Sequence, residues 1–465
     1  MPDQIDQTQI HQPPLLVEQK SQLVDWLAQH ETAKPDWRIG TEHEKFLYNT
    51  DNYDALPYEG ARSIGALLSY LKDHHNMTPI MEKQVLIGLK DGKGASLTLE
   101  PGGQFELSGA PLETLHDTCA ETGRHLRQMR EACAALGLGM FGMGFHPKWQ
   151  RSDIHWMPKG RYRIMREYMP TKGDLGLDMM LRTCTVQVNL DYASEADMVK
   201  KFRTSLALQP VATALFANSP FKDGRPSGLK STRAFTWTDV DGDRCGVPAC
   251  VFDDGFGYEQ WIDYILDVPM YFLYREGAYA DVSGLSFRDF MKGELPGYEG
   301  QLPTMKDFED HITTAFPEVR LKGYLEMRGA DSGSWDNICA LPALWVGLLY
   351  DEEVLDQAAD LAQSISHSDV EAGRLSAARD GLAGMMAGRT LHDWARDMVD
   401  LAGKGLKNRA CLDSAGTDES GFLQPLRQIV QSGETGADML LEAYHGRWQE
   451  NVDSIFETMD YKARS

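Results

Sequence analysis

The sequence has little cysteine, no excess of basic charge and no long apolar run. Its most apolar stretch, residues 339–350, contains Pro342 and is shorter than the roughly 20 residues that a membrane-spanning helix needs. Lys and Arg number 46 against 69 Asp and Glu, which gives a net charge of −23. Without a broad basic field, neither nucleic acid nor an anionic membrane is expected as a partner. Small anionic substrates are not excluded, because they need only a few local cations or a metal ion.

Several common signatures are also missing. The seven cysteines form no C-x-x-C pair, which argues against a zinc ribbon or a thioredoxin-type site. There is no G-x-x-x-x-G-K-[ST] loop and no G-x-S-x-G motif, so P-loop ATPases and the commonest serine hydrolases are excluded. The first residues have neither the basic and apolar regions of a signal peptide nor the acid-poor composition of a transit peptide. A cytoplasmic protein with reduced thiols is therefore expected.

The composition changes along the chain and predicts three parts. Residues 1–36 form an N-terminal arm and a helix at about 16–30, and residues 37–350 form a mixed catalytic body of short strands and helices. Residues 351–465 are expected to be a helical C-terminal section that packs on the body. Amphipathic periodicity in that section predicts four helices, at residues 351–362, 369–387, 391–407 and 437–453.

Five strand-like segments each have one polar face. They are residues 38–48, 96–100, 104–108, 185–192 and 323–329. Residues two apart share a face of a strand. The side chains that share these polar faces are Glu42, Glu44, Thr98, Glu100, Gln104, Glu106, Ser108, Gln187, Asn189, Asp191, Tyr324, Glu326 and Arg328.

The simplest explanation of this pattern is an antiparallel sheet with one solvated face. The repeated carboxylates favour another, since so many of them on one face would repel each other unless cations lay between them. Hard divalent cations prefer oxygen ligands, and Mg²⁺ keeps water and substrate phosphate in its shell. Carboxylates gathered with an arginine therefore indicate Mg²⁺-assisted phosphoryl chemistry.

Three basic residues, at two places in the chain, have alternative interpretations that the residues alone leave open. Lys90 and Lys93 lie in a Gly-rich loop at residues 89–95, which is either a solvated hairpin tip or a phosphate contact. Arg233 lies among threonines and aromatic residues. It either pairs with a structural carboxylate or binds a substrate carboxylate bidentately.

Longer blocks of sequence resemble a known family. They include TEHEKF (41–46), TLEPGGQFELSGAPLETLH (98–116), PKGRYRIMREYMP (158–170), LGLDMMLRTCTVQVNLDY (175–192) and TTAFPEVRLKGYLEMRGAD (313–331). Together they resemble the plant-type glutamate–cysteine ligases, a group that also includes bacterial enzymes. The resemblance extends from about residue 37 to the C-terminus.

The resemblance implies a fold and an activity. The fold would be α+β and glutamine-synthetase-like, with a curved, mostly antiparallel sheet forming a funnel, helices outside it and a helical C-terminal section. The activity would be ATP-dependent ligation of the L-glutamate γ-carboxylate to the amine of L-cysteine, the first step of glutathione biosynthesis, through γ-glutamyl phosphate. Mg²⁺ would be the cofactor, and the protein would be a monomer or a homodimer. A ligase with another amine acceptor and a non-catalytic metal- or amino-acid-binding protein remain as alternatives.

The resemblance also implies residue roles. Arg328 would be the catalytic arginine near the transferred phosphoryl group, and Arg233 would bind the glutamate α-carboxylate beside a pocket wall at Tyr271. Lys90 and Arg182 would contact nucleotide phosphates. The implied metal ligands are Glu42, Glu44, Glu100, Glu106, Gln187 and Glu326.

The cysteines both match the family and depart from it. Cys119 and Cys339 correspond to a pair that forms a disulfide in some plant members, whereas residues 281–287 and 295–300 lack the cysteines of the plant regulatory hairpin. In a reducing cytoplasm, Cys119 and Cys339 are expected to be thiols without a catalytic role.

Overall fold

The polar-faced segments come together in one large sheet. The computed structural model of the chain describes residues 15–459 and 461, so the predicted arm before residue 15 lies outside the described residues. The sheet has nine strands in the order β14-β15-β7-β1-β5-β4-β3-β2, with β6 paired to the second half of β1. Every pairing in it is antiparallel. Its strands are β1 (Ile39–Asn49), β2 (Thr78–Glu82), β3 (Val85–Lys90), β4 (Ser96–Leu99), β5 (Phe105–Ser108), β6 (Leu138–Phe141), β7 (Thr185–Leu190), β14 (Val319–Leu321) and β15 (Leu325–Asp331).

Shorter strands form separate pairs. Of these, only the β10–β13 pair is parallel in the described part of the chain. They are β8 (Phe221–Lys222), β9 (Arg225–Pro226), β10 (Cys245–Gly246), β11 (Phe272–Arg275), β12 (Ala278–Asp281), β13 (Phe316–Pro317), β16 (Met385–Met386) and β17 (Arg389–Thr390).

Helices lie around the sheet and make up most of the last hundred residues. In chain order they are α1 (Lys20–Ala28), α2 (Ile64–His74), α3 (Leu115–Leu136), α4 (Gly160–Tyr168), α5 (Gly176–Arg182), α6 (Glu195–Leu215), α7 (Thr232–Thr236), α8 (Tyr258–Asp267), α9 (Phe287–Met291), α10 (Met305–Ile312), α11 (Trp335–Leu349), α12 (Glu352–Ala362), α13 (His367–Asp380), α14 (Leu391–Arg409), α15 (Gln424–Ser432), α16 (Gly436–His445) and α17 (Ser454–Thr458). Among the described residues, none of the helices is both long and apolar enough to span a bilayer.

The apolar face of the sheet is buried under helices. Helices α3, α6 and α11 pack on it, and α11 is buried along nearly its whole length. Val186, Val188 and Leu190 of β7 are fully buried there, and each such side chain contributes about 1.5–3 kcal/mol on leaving water. The opposite, polar face is therefore the one left available for chemistry.

The predicted elements are mostly found, with differences at their ends. The helix predicted at 369–387 ends at Asp380, because Gly381 adopts φ +58° and turns the chain toward the β16–β17 pair. The helix predicted at 437–453 ends at His445, where Gly446 follows. One hydrophobic core contains residues from all three predicted parts. The division at residues 36 and 350 stays a prediction.

Candidate active site

Cross-strand register aligns the polar side chains. Glu42 on β1 lies opposite Ser108 on β5 and Gln187 on β7, while Glu44 lies opposite Glu106. Side chains directly opposite each other in an antiparallel pair have Cβ atoms roughly 4.5–5.5 Å apart. The strands therefore bring together carboxylates that are more than 60 positions apart in the sequence.

Glu44, Glu100 and Glu106 form what we term the carboxylate cluster. Glu44 Oε2 accepts a hydrogen bond from Thr185 N at 2.9 Å. Glu106 accepts from the hydroxyls of Thr98, at 2.6 Å, and of Ser108, at 3.2 Å. Burial, followed by the charges of Glu100 and Glu106, raises the pKa of Glu44 well above its usual value. Burial and Glu100 likewise raise the pKa of Glu106.

Glu42 lies between this cluster and Glu326. Its Oε1 accepts a hydrogen bond from Asn189 Nδ2 at 2.9 Å. Burial and then the negative charge of Glu326 raise the pKa of Glu42. The buried Asn189 Oδ1 has no hydrogen-bond partner in the described part of the chain, so an oxygen beside Glu42 is still free to bind a donor or a cation.

Glu326 has a different environment, because three cations surround it. Arg320 Nε lies 2.7 Å and Arg328 Nη1 2.9 Å from its Oε2, and Lys322 Nζ lies 3.3 Å from its Oε1. Burial alone would raise the pKa of Glu326, but these three cations hold it well below the usual value. We call Arg320, Lys322 and Arg328 the cationic cluster.

The polar face is thus divided by charge. One end holds the carboxylate cluster, and the other holds three cations around a single carboxylate. Arg328 Nη1 also donates to Gln187 Oε1 at 2.7 Å, which places this arginine toward the middle of the face. Such an arrangement can bind a metal ion at one end and a phosphate group at the other.

Arg233 reaches the same face from α7. Its Nη2 donates to the carbonyl oxygen of Arg328 at 2.7 Å, and its side chain is buried. Its Nε is also buried and has no hydrogen-bond partner among residues 15–459 and 461. Burial lowers the pKa of Arg233, although Asp331, Glu318 and Glu44 favour its charge. A buried guanidinium with an unused donor is suited to an anionic ligand.

Tyr271 is not exposed at the surface of the site. It is 1% exposed and belongs to an apolar cluster with Met169, Met179, Met180 and Val240. The Arg244 guanidinium lies 3.8 Å from the centre of its ring. Trp237 and Phe316 pack against this cluster, and the Tyr271 hydroxyl is buried with no hydrogen-bond partner in the described part of the chain. The role of Tyr271 as a pocket wall stays a prediction.

The two residues expected to contact phosphate differ from each other. Lys90 is the last residue of β3, lies opposite Ser96 and is half-buried. It is at the start of the hairpin tip, which is one of the two locations that the sequence predicted. Arg182 is 3% exposed at its side chain and is bound to Asp178 at 3.1 Å and Asp223 at 2.7 Å. Two carboxylates therefore already hold its guanidinium, and the expected contact of Arg182 with phosphate stays a prediction.

Several residues near the site were not found by sequence reasoning. Lys159 Nζ donates to the carbonyl oxygen of Leu99 at 2.7 Å, and the Tyr162 hydroxyl donates to the same oxygen. Burial lowers the pKa of Lys159 to about 8, with Glu100 and Glu106 favouring its charge. The cation-rich block PKGRYR was the sequence feature that could have revealed these two residues. Its Lys159 and Tyr162 side chains hold the end of β4 just before Glu100.

The six residues predicted to bind a metal ion all offer oxygen atoms, which are the donors that Mg²⁺ prefers. No three acidic, histidine or cysteine side chains come close enough to form a metal site by themselves, within residues 15–459 and 461. Mg²⁺ uses few protein ligands and keeps water and phosphate oxygens in its shell. Glu44 and Glu106 have raised pKa values through burial and neighbouring negative charge, which a bound cation would relieve.

Comparisons with known proteins show which family the sequence is similar to. The model of glutamate–cysteine ligase family 2 (GCS2) matches residues 38–458. The chain is 52% identical over 442 residues to the chloroplastic glutamate–cysteine ligase of Medicago truncatula, covering 95% of this chain and 85% of that protein. It is 51% identical to the Arabidopsis thaliana enzyme, covering 95% and 83%.

Solved structures match at low identity and show the fold. The glutamate–cysteine ligase of Francisella tularensis in complex with AMP matches with a TM-score of 0.51 at 12% identity, covering 92% of this chain and 88% of that one. A bifunctional glutathione synthetase from Pasteurella multocida matches with a TM-score of 0.52 at 12% identity, covering 95% and 54%. The predicted α+β, glutamine-synthetase-like class with a mostly antiparallel sheet is confirmed.

Proposed function

This chain belongs to glutamate–cysteine ligase family 2, and we propose from this premise that it joins the L-glutamate γ-carboxylate to the amine of L-cysteine with ATP as co-substrate. The observation that carries the proposal is 52% identity to a glutamate–cysteine ligase over 95% of the chain. The reaction is the first step of glutathione biosynthesis. It agrees with a polar face that has carboxylates at one end and cations at the other.

The chemistry needs two displacements, because a carboxylate is a poor acylating agent. An oxygen of the glutamate γ-carboxylate attacks the terminal phosphorus of ATP, the bond to the ADP oxygen breaks, and γ-glutamyl phosphate forms. The cysteine amine then attacks the acyl carbon, inorganic phosphate leaves, and the amine loses a proton. Both steps develop negative charge on phosphate oxygens, which fixed cations stabilise.

We assign Mg²⁺ to the oxygen-rich part of the face. Glu44, Glu100 and Glu106 are the proposed ligands at the carboxylate cluster, and Glu42, Gln187 and Glu326 are the proposed ligands beside it. When bound, Mg²⁺ neutralises phosphate oxygens. The apposition of Glu44 with Glu106 and the unused Asn189 oxygen beside Glu42 support this assignment.

Arg328 is the proposed catalytic arginine. It lies between Glu326 and Gln187, so its guanidinium can reach a phosphoryl group held at the middle of the face. Arg320 and Lys322 add two charges beside it, and we propose them as further phosphate contacts. Lys90 and Arg182 stay proposed phosphate contacts, Lys90 at the far side of the sheet and Arg182 beside Asp178 and Asp223.

Arg233 is the proposed contact for the glutamate α-carboxylate. Its buried Nε has no partner in the described residues, and a planar guanidinium can bind a carboxylate through two parallel hydrogen bonds. Its link to the Arg328 carbonyl places the two arginines side by side. The α-carboxylate and the transferred phosphoryl group would then be held by neighbouring side chains.

The remaining assignments follow the same proposal. We expect a cytoplasmic enzyme, whereas the curated relatives are named as chloroplastic. We expect a monomer or a homodimer. A ligase with a different amine acceptor stays the second candidate, since none of the residues that the structure describes identifies a cysteine pocket.

Phosphate release from ATP tests the function. We expect release that requires L-glutamate, Mg²⁺ and L-cysteine together. Equal release with alanine, serine or ammonia in place of cysteine would favour the second candidate. No release with any amine would favour a binding protein instead.

A further inference from the structure

A buried carboxylate without an assigned role lies at the end of β15. Asp331 is 1% exposed, and a buried charge is costly unless hydrogen bonds satisfy it. Its Oδ2 accepts from Asn218 N at 2.9 Å and from Ser219 Oγ at 2.6 Å. Its Oδ1 accepts from Ser231 Oγ at 2.8 Å. Asp331 thus orients two serine hydroxyls at once.

Both hydroxyls hold the beginning of α7. A hydroxyl that donates its only proton to Asp331 must use its oxygen as an acceptor. Ser219 Oγ accepts from the backbone N–H of Arg233 at 3.3 Å, and Ser231 Oγ accepts from Ala234 N at 2.9 Å. Asp331 is therefore connected through one serine to the backbone of Arg233 itself, and through the other to the next residue.

This connection matters because α7 cannot hold itself. It has only five residues, and isolated helices of that length are not stable in water. The Arg233 side chain is tied to the Arg328 carbonyl, three residues before Asp331 on the same strand. One strand therefore fixes both the backbone and the guanidinium of Arg233.

We propose that Asp331 is a positioning residue for substrate binding: through Ser219 and Ser231 it holds Arg233 where the guanidinium can bind the α-carboxylate of the amino-acid substrate. The inference rests on the proposed function, in which Arg233 binds glutamate. Asp331 does not touch the substrate. Its carboxylate fixes the direction of both hydroxyls, which an uncharged group of the same shape cannot do.

Asp331→Asn is the first test. The amide nitrogen cannot accept a hydrogen bond, so at least one serine hydroxyl loses its acceptor and α7 loosens. Losing one or two buried hydrogen bonds corresponds to a rise in the KM for L-glutamate on the order of tenfold. We expect the KM for ATP to change much less, and L-glutamate alone to raise the thermal midpoint of the variant less than that of the wild type.

A matched control separates positioning from general destabilisation. Asp307 on α10, 4% exposed, accepts from the N–H of Thr304 at 2.8 Å, from the Thr304 hydroxyl at 2.7 Å and from Arg275 Nη2 at 2.8 Å. Asp307→Asn should lower the thermal midpoint without changing the KM for L-glutamate. If Asp331→Asn, like this control, lowers the thermal midpoint and leaves the KM for L-glutamate unchanged, the inference is overturned.

Two further variants keep the test decisive. Ser231→Ala removes one of the two serine connections to α7 and should raise the KM for L-glutamate by less than Asp331→Asn does. This variant still tests the proposal if Asp331→Asn folds poorly. Arg233→Lys should raise it with a smaller loss of kcat, and the double variant with Asp331→Asn should add little more. If the KM for L-glutamate is unchanged in Arg233→Lys, Arg233 does not belong to the proposed site. If that KM rises in Arg233→Lys but is unchanged in Asp331→Asn and Ser231→Ala, only the role of Asp331 is overturned.

Discussion

At the scale of single residues, two glutamates with similar predicted roles differ in their environments. Burial and the nearby carboxylates raise the pKa of Glu44, whereas Arg320, Lys322 and Arg328 overcome burial and lower the pKa of Glu326. Ionised Glu44 therefore destabilises the folded protein, and ionised Glu326 stabilises it. Sequence reasoning placed both in one repulsive set, because Arg320 and Lys322 were not recognised as partners of Glu326.

We predict opposite stability effects for the two neutral variants. Without metal at neutral pH, Glu44→Gln should keep or raise the thermal midpoint, because it removes a charge that burial disfavours. Glu326→Gln should lower the unfolding free energy by about 3–5 kcal/mol, since it leaves buried cations without their counter-charge. Thermal melts of both variants in a chelator check this, and a destabilised Glu44→Gln would make Glu44 a structural residue.

The pH dependence of these effects has opposite signs. The pKa of Glu326 is lower in the folded protein than in the unfolded chain. The ionised Glu326 carboxylate therefore stabilises the fold above its unfolded-state pKa, and this stabilisation is lost as the pH falls through its folded-state pKa. Because the folded-state pKa of Glu44 is raised, its penalty shrinks as the pH falls through that value. The difference in unfolding free energy between Glu44→Gln and wild type should thus become smaller as the pH falls.

Both Glu44→Gln and Glu326→Gln should also lose most of their turnover.

At the scale of elements, the β14–β15 hairpin brings cations to the site. β14 has only three residues, and Lys322 lies in the turn that follows it, next to Gly323 with φ +89°. Pattern reasoning predicted the longer β15, where alternation over seven residues is visible. The same reasoning gave no role to β14, because three residues are too few to show an alternating pattern.

Lys322→Met should raise the KM for ATP more than the KM for L-glutamate. The substitution keeps much of the side-chain volume and removes one of the three charges around Glu326. Lys93→Met, in the exposed tip between β3 and β4, is the matched control and should leave both constants unchanged. Equal effects of the two variants would show that Lys322 does not contact the nucleotide.

Helices α3 and α11 bring two distant thiols together. Cys119 and Cys339 are both buried, and all seven cysteines are free thiols. Burial, and then hydrogen-bond contact with the Cys119 thiol, raise the pKa of Cys339 far above its usual value. A thiol with a raised pKa is a poor nucleophile. The proximity of the two thiols that the family resemblance implied is therefore present.

We predict that these thiols are reduced in the cell and have no part in catalysis. A thiol count on denatured, anaerobically prepared protein should find seven, and Cys119→Ser should retain nearly the wild-type kcat. Cys411→Ser, at a half-buried thiol in another part of the chain, serves as the control. A count of five, with activity that falls on reduction, would instead identify the pair as a disulfide switch.

At the scale of the whole molecule, the sequence predicted the sheet better than the charge balance of the site. The alternation of Glu, Gln and Asn with Val and Leu was enough to predict β1, β4, β5, β7 and β15 and to place their polar side chains on one face, because residues two apart share a face of a strand. It could not show that Arg182 is bound by Asp223, 41 residues away, nor that Asp331 holds Ser219 and Ser231. Those contacts depend on how distant elements pack.

In the proposed reaction, a phosphoryl group is transferred to the glutamate γ-carboxylate at the polar face before the amide bond forms. The most direct measurement uses L-glutamate labelled with ¹⁸O in its γ-carboxylate, together with ATP, Mg²⁺ and L-cysteine, and analyses the released phosphate by mass spectrometry. We expect one labelled oxygen per phosphate formed, in amounts equal to the dipeptide. Unlabelled phosphate would contradict it, because no γ-glutamyl phosphate would then have formed.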